Sequence, residues 1–173
     1  MTAESILKRT YTGKNRKPLH QEEETTSIYK GARCRVCLIK ENDHLPPMKI
    51  NNASKAYELV KDEIASSDRE IMLSIMLDSG LNLIGIETVA IGSLNVCGST
   101  TSEIFKSAIL ANASCIILCH NHPSGSSEPS VEDIAFTRNV FKCGMMLNIK
   151  VHDHLIISNR GYCSMNEHGL IRL

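Results

Sequence analysis

The chain has 173 residues, of which 42% are hydrophobic, and this size suits one domain of ordinary length with a short extension. Nineteen basic residues balance nineteen acidic ones, so the net charge does not support a nucleic-acid partner, although a local basic patch leaves such a contact open. No stretch approaches the ~18 apolar residues of a membrane span, and no signal-peptide core is present. These features predict a cytoplasmic protein without a membrane partner, and they leave its oligomeric state open.

The first 49 residues are expected to form a polar N-terminal extension, with basic residues before Glu22-Glu23-Glu24 and no sustained apolar period. A short strand is predicted over residues 33–40. The pair Cys34-x-x-Cys37 in that strand lacks the second pair that a zinc ribbon needs, and the seven scattered cysteines suit reduced thiols better than disulfides. The domain proper is predicted over residues 50–173.

The domain alternates helical and extended patterns, which predicts an α/β fold. A helix capped by Ser54 is predicted through Ala65, and two strands follow over residues 71–77 and 83–91. The later predicted elements are a helix from about residue 100, a strand over 114–119 buried on both faces, a helix from 131, a strand over 149–158 and a strand over 162–165. The helix from 131 is expected to bury Phe136, Val140, Cys143 and Leu147.

Two histidines stand at the end of the predicted central strand. Side chains alternate along a strand, so His120 and His122 can present two ring nitrogens to one point. Ser130 is placed to cap the next helix, which puts Asp133 in its first turn, close enough to fold back toward the histidines. Two His and one Asp match the open, catalytic pattern of zinc ligands. The alternative is that Ser130-x-x-Asp133 is a capping box that only satisfies backbone N–H groups.

These residues resemble a known motif at every spacing. The pattern His120-x-His122-x7-Ser130-x2-Asp133 resembles the JAMM motif of MPN-plus metallopeptidases. The wording His-Asn-His-Pro-Ser-Gly, with a later Asp153-His154-Leu-Ile-Ile, resembles the RadC family in particular, over about residues 51–173. The resemblance implies a zinc-dependent hydrolase with a cytidine-deaminase-like mixed central sheet flanked by helices. Full-length RadC proteins resemble this domain joined to a helix-hairpin-helix DNA-binding module, for which we expect no room here.

Zinc held by His120, His122 and Asp133 would lower the pKa of a bound water from ~15.7 toward ~7. A general base is also needed, because amide hydrolysis moves a proton to the leaving nitrogen. The resemblance implies Glu70 for this role, just before the first strand of the domain, with Glu87 as the next choice. By the same resemblance, Ser130 would donate a hydrogen bond to the developing oxyanion.

His152 and His154 flank Asp153 on the last long strand, where alternation places both histidines on one face unless a bulge intervenes. One of them would orient a zinc ligand. The favoured alternative is an ordinary polar pair, or a core histidine with its own partner.

The leading functional hypothesis is a zinc-dependent hydrolase of the metallopeptidase or isopeptidase type, acting on a peptide or protein. The alternative keeps fold and zinc but predicts a binding or regulatory module in a DNA-repair or mobile-element context, without peptidase turnover. A two-metal nuclease would want more carboxylates around the histidines, and so is disfavoured. A zinc deaminase would carry His-x-Glu and a later Pro-Cys-x-x-Cys, which this sequence lacks.

Overall fold

The computed structural model describes residues 47–92 and 100–171, together with Val36. Apart from Val36, the predicted strand over 33–40 lies outside the described residues, as do the Cys34-x-x-Cys37 pair and most of the predicted extension. The elements in chain order are α1 (Ala53–Ile64), β1 (Ile71–Leu77), β2 (Leu83–Ile91), α2 (Thr100–Leu110), β3 (Cys115–Asn121), α3 (Val131–Leu147), β4 (Lys150–Ser158) and β5 (Gly161–Ser164).

The five strands form one sheet in the order β2-β1-β3-β4-β5. β1 is antiparallel to both β2 and β3, β3 is parallel to β4, and β4 is antiparallel to β5. The parallel pair requires a crossover connection, which α3 provides. The sheet is therefore mixed and carries helices, as the predicted α/β fold requires.

The hydrophobic core consists of two layers, one on each face of the sheet. On one face the buried side chains of α1 pack against residues such as Leu73 and Ile75 of β1. On the other face α2 and α3 pack against the alternate residues, among them Met72 and Leu118. All seven residues of β3 are buried, because this strand has a neighbour on each side and helices above and below. The predicted central strand is confirmed, and it extends two residues further, through Asn121.

The start of α1 differs from the prediction. Asn52, rather than Ser54, is the N-cap, and its side-chain oxygen accepts a hydrogen bond from the Lys55 amide at 2.8 Å. Asn and Ser are both favoured caps, so the sequence does not discriminate between two candidates that lie two residues apart.

The buried stripe of α3 agrees with the predicted one only in part: Val140 is buried, and Phe136 and Cys143 are partly buried and pack against the core. The buried residues are Asp133, Thr137, Val140, Phe141 and Gly144, whereas Leu147 is 44% exposed. The prediction followed apolar residues alone. The structure instead buries two polar side chains and a glycine on the face toward the sheet, since those positions contact β4 and the histidines of β3.

A β-bulge interrupts β4 next to β3. Ile116 pairs with Val151, but the following residue Ile117 pairs with Asp153, so His152 is the extra residue. His154 is fully buried on the α3 face, whereas His152 and Asp153 line a cavity beside the start of α1, on the opposite face. The predicted placement of both histidines on one face was conditional on an unbroken strand. The bulge resets the alternation, so the two histidines lie on opposite faces.

Within residues 47–92 and 100–171, no helix combines the length and the apolar character needed to cross a membrane.

Candidate metal centre

The end of β3 brings two imidazole rings together. His120 is fully buried, and the side chain of His122 is 16% exposed. Their Nε2 atoms are 3.0 Å apart. This geometry is the one that strand alternation predicts for His-x-His, with one residue pointing away between two that converge.

Asp133 reaches the same point from the first turn of α3. One carboxylate oxygen lies 3.3 Å from His120 Nε2, and the other lies 3.2 Å from His122 Nε2. Ser130 caps the helix: its hydroxyl accepts from the Asp133 amide at 3.0 Å and donates to Asp133 Oδ2 at 2.6 Å. The Ser130 amide also donates to Oδ2, at 2.8 Å. The capping box and the approach of Asp133 to the histidines thus occur together and are not alternatives.

These contacts determine the charge of Asp133. Burial opposes its ionisation, but the hydrogen bond and charge of His120, together with the two hydrogen bonds from Ser130, outweigh burial. The pKa of the Asp133 carboxyl therefore falls well below its usual range. At neutral pH the group is a carboxylate aimed at two ring nitrogens.

A second carboxylate belongs to the same cluster. A Glu70 oxygen and one ring nitrogen from each of His120 and His122 all lie within 4.8 Å of one another, so these residues could hold a metal ion. Glu87 lies elsewhere, opposite Ser74 in the β1–β2 ladder, whereas His120 pairs with Met72. The Glu87 side chain also has a buried oxygen without a hydrogen-bond partner. The structure thus places Glu70, and not Glu87, beside the histidines.

Asn121, the residue between the two histidines, fixes the segment that carries Glu70. Its side-chain oxygen accepts from the Ile71 amide at 2.8 Å, and its Nδ2 donates to the Arg69 carbonyl at 2.9 Å and to the Ser67 carbonyl at 3.3 Å. The amide therefore bonds to the backbone on both sides of Glu70. Sequence reasoning did not identify this residue. The available signal was strand alternation, which turns the Asn121 side chain away from the two histidines. It points instead to the segment that leads into β1.

His120 has a further buried contact behind it. Its Nδ1 lies 2.7 Å from His154 Nε2, and His154 Nδ1 lies 2.6 Å from the Thr137 hydroxyl. Burial lowers the pKa of His154 well below its ordinary value, and the neighbouring His120 adds to this effect. The contact with His120 is the one expected of a residue that orients a ligand, which sequence reasoning considered but disfavoured. Thr137 was missed, although it stands one helical turn after Asp133.

The donor set fits a cation. The Nε2 atoms of His120 and His122 and the two carboxylate oxygens of Asp133 form a set in which neighbouring atoms lie 3.0–3.3 Å apart. Metal–ligand bonds of about 2.0–2.1 Å around a tetrahedral centre would place the ligand atoms about 3.3 Å apart. All four atoms can offer a lone pair to a cation, and the carboxylate is ionised, so their crowding in a buried site favours a positive charge among them.

Comparison with known proteins identifies the family of the domain. The sequence model of the RadC-like JAB domain matches residues 50–170. A UPF0758 protein of Roseiflexus castenholzii is 42% identical over 122 residues, which cover 70% of this chain and 52% of that protein. A UPF0758 protein of Thermotoga maritima is 39% identical over 123 residues, with shares of 71% and 55%. One of Methanococcoides burtonii is 40% identical over 126 residues, with shares of 73% and 55%.

This chain spans about half the length of the curated relatives it matches. The matched region contains the whole described sheet and every residue of the histidine–carboxylate cluster. On this evidence the chain belongs to the RadC-like JAB domain family.

Proposed function

We propose that this domain is a zinc-dependent hydrolase of the metallopeptidase or isopeptidase type, with His120, His122 and Asp133 as the metal ligands. The observation that carries the proposal is the convergence of two ring nitrogens and the Asp133 carboxylate at 3.0–3.3 Å, with a second carboxylate beside them. Imidazole and carboxylate ligands suit zinc, and three protein ligands leave a position open for substrate or water. When bound there, zinc would supply a water that is acidic enough to ionise near neutral pH.

In this proposal Glu70 is the general base. Its carboxylate lies next to both histidines, and Asn121 fixes the backbone around it, so the base would be positioned without serving as one of the three ligands. A carboxylate in this place can accept a proton from the attacking water and return it to the leaving nitrogen.

Ser130 is proposed to stabilise the oxyanion. Its single hydroxyl proton is donated to Asp133 in this structure, so the role requires the hydroxyl to rotate toward the substrate oxygen. Asp133 would keep the hydrogen bond from the Ser130 amide during that rotation, at 2.8 Å. Replacing Ser130 by Ala tests the role, with lower turnover and retained zinc as the expected result.

Metal analysis tests the ligand assignment. The wild-type chain should bind one zinc, and both His122→Ala and Asp133→Asn should lose most of it. His168 is a matched control, because it bonds to the Ser164 carbonyl and contacts Cys163, away from the cluster. A His168→Ala variant should retain zinc. Unchanged zinc content in His122→Ala would remove the site from consideration.

The reaction type needs a separate assay. Peptide, isopeptide and nucleic-acid substrates should be offered to the zinc-loaded chain, with and without chelator. Chelator-sensitive cleavage of an amide or isopeptide bond supports the proposal. Zinc binding without turnover on the whole panel would favour a binding or regulatory module instead.

A further inference from the structure

A buried hydrogen-bonded chain connects α3 to the back of His120. The Thr137 hydroxyl lies 2.6 Å from the Asp133 carbonyl oxygen and 2.6 Å from His154 Nδ1, and His154 Nε2 lies 2.7 Å from His120 Nδ1. Thr137, His154 and His120 are all fully buried, so water does not compete for these groups. The number of protons available along this chain therefore determines which atom donates at each contact.

The Thr137 hydroxyl carries a single proton. A carbonyl oxygen can only accept, so the single hydroxyl proton of Thr137 is donated to the Asp133 carbonyl. The hydroxyl oxygen must then act as the acceptor toward His154, which places a proton on His154 Nδ1.

The proton on His154 Nδ1 determines the hydrogen-bond direction between the two imidazole rings. His154 is enclosed in the protein, and its two ring nitrogens contact a hydroxyl and another imidazole, surroundings that favour a neutral ring. A neutral ring with its proton on Nδ1 has a lone pair on Nε2, which accepts a hydrogen bond from His120 Nδ1. With its Nδ1 proton donated to His154, His120 has only Nε2 left to face His122 and Asp133, and this is the atom that can present a lone pair to a metal.

We propose that Thr137 and His154 are positioning residues that hold His120 in the Nδ1-protonated tautomer and so present its Nε2 lone pair to the metal. This inference rests on the proposed metal site. Thr137 has a second effect, since it bonds to both the Asp133 carbonyl and His154. It thereby connects the helical turn that bears one ligand, through His154, to the ring of His120. Partners of this kind, which contact a ligand and not the metal, typically contribute 10–100-fold to metal affinity.

Four variants test the proposal. His154→Phe keeps a ring in the core but removes the acceptor for His120 Nδ1. Thr137→Val keeps the shape but removes the hydroxyl, which frees His154 to protonate on Nε2 and so favours the wrong His120 tautomer. Thr137→Ser restores the hydroxyl. His152→Phe is the matched control, because the bulge places His152 on the opposite face of the sheet.

The first measurement is the tautomer in the metal-free protein, read from long-range proton–nitrogen correlations of the imidazole rings. We expect wild-type His120 and His154 to be protonated on Nδ1. His154→Phe and Thr137→Val should each lose the single His120 tautomer, while Thr137→Ser and His152→Phe keep it. A wild-type His120 without a proton on Nδ1 would overturn the proposal.

The second measurement is zinc affinity, from competition with a chelator. We expect a 10–100-fold loss in His154→Phe and a loss in Thr137→Val that Thr137→Ser restores. Equal losses in His152→Phe and His154→Phe, or full affinity in both Thr137→Val and His154→Phe, would contradict the inference.

If His154→Phe does not fold, the comparison of Thr137→Val with Thr137→Ser decides. If the wild type binds no zinc, the proposed function fails, whereas the tautomer measurement still decides the proton arrangement.

Discussion

Glu70 and Asp133 are carboxylates beside the same two histidines, yet their surroundings differ. Asp133 is held by Ser130 at one oxygen and lies against both rings. Glu70 stands just before β1 and is half-buried. A ligand must be held in place, whereas a base must exchange protons with the reacting groups, so the two environments suit different roles.

Replacing Glu70 by Gln should separate metal binding from turnover. The amide has nearly the shape of the carboxylate but cannot act as a base. On a substrate that the wild type cleaves, we expect unchanged zinc content and a loss of about two to four orders of magnitude in turnover. The measurements are metal analysis and steady-state kinetics.

Glu87→Gln is the control for that experiment, since Glu87 lies opposite Ser74 in the ladder and was the second choice for the base. It should keep wild-type turnover. Near-normal turnover in Glu70→Gln would remove Glu70 from the mechanism. Zinc loss in the same variant would instead identify Glu70 as a ligand.

The sequence predicts part of this cluster well. Strand alternation and the helix cap suffice to bring His120, His122 and Asp133 together, because each inference depends on short-range geometry. His154 and Asn121 make contacts with residues 34 and 50 positions away in the chain. Such contacts depend on strand pairing and register, which local patterns do not determine.

At the level of elements, Asn121 links the end of β3 to the start of β1. Replacing it by Ala leaves the Ile71 amide without its hydrogen-bond partner. We expect the free energy of unfolding to fall by about 1–3 kcal/mol, the usual cost of leaving a buried polar group without its partner. We also expect faster hydrogen exchange at Ile71, compared with Ile75 in the middle of β1.

Ser158→Ala is a matched control for the Asn121 variant. Ser158 is buried and bonds to the Gly161 carbonyl and the Arg160 amide at the β4–β5 turn, so its loss should lower stability without affecting Ile71 selectively. Selective exchange at Ile71 in both variants, or in neither, would argue against a local role for Asn121.

Gly144 permits the close approach of α3 to the start of β4. A Cβ atom there would lie 2.5 Å from the Ile149 carbonyl oxygen and 3.1 Å from Val151 Cγ2. Ala gains about 1 kcal/mol over Gly in a helix, but a contact this short with backbone forces the elements apart. We expect Gly144→Ala to lower the free energy of unfolding by about 1–3 kcal/mol, measured by urea denaturation.

Gly80→Ala provides the comparison. Its Cβ would meet the Asn82 side-chain amide at 2.9 Å, and that exposed side chain is more easily displaced than backbone. A smaller loss is therefore expected. If the Gly144 variant were as stable as the wild type, α3 would be free to shift away from β4.

The identity of most elements follows from the sequence, whereas their contacts do not. The bounds of β1 and β2 are as predicted, because apolar runs and turn residues define them. The residues around His152 do not predict a bulge at this position. The bulge changes the face of the sheet on which each later residue of β4 lies. From the sequence alone, Gly144 only lowers the helix propensity of α3. Its role in the close packing of α3 against the start of β4 is visible only in the structure.

For the whole molecule, removal of metal should leave the fold intact. The two apolar layers lie on opposite faces of the sheet, and neither layer includes a residue of the histidine–carboxylate cluster. A domain of this size has its own core, unlike small zinc modules that unfold without metal. After chelation we expect a native circular dichroism spectrum and a lower melting temperature, because bound ligand stabilises the folded state.

Repeating the chelation with His122→Ala separates loss of the metal from any direct effect of the chelator on the protein. The melting temperature of this variant should not respond to chelator. Cooperative unfolding of the wild type on chelation at 25 °C would show that the metal is structural.

The parallel pairing of β3 with β4 has a consequence for the order of events during folding. The cluster requires residues from four segments, and its innermost ring, His154, arrives only after α3 has crossed over the sheet. Helical turns form quickly, whereas parallel strands pair slowly, because a long segment must first be closed into a loop. Full-affinity zinc capture after dilution from denaturant should therefore keep pace with strand assembly, not with helix formation, and would mark the completion of the topology.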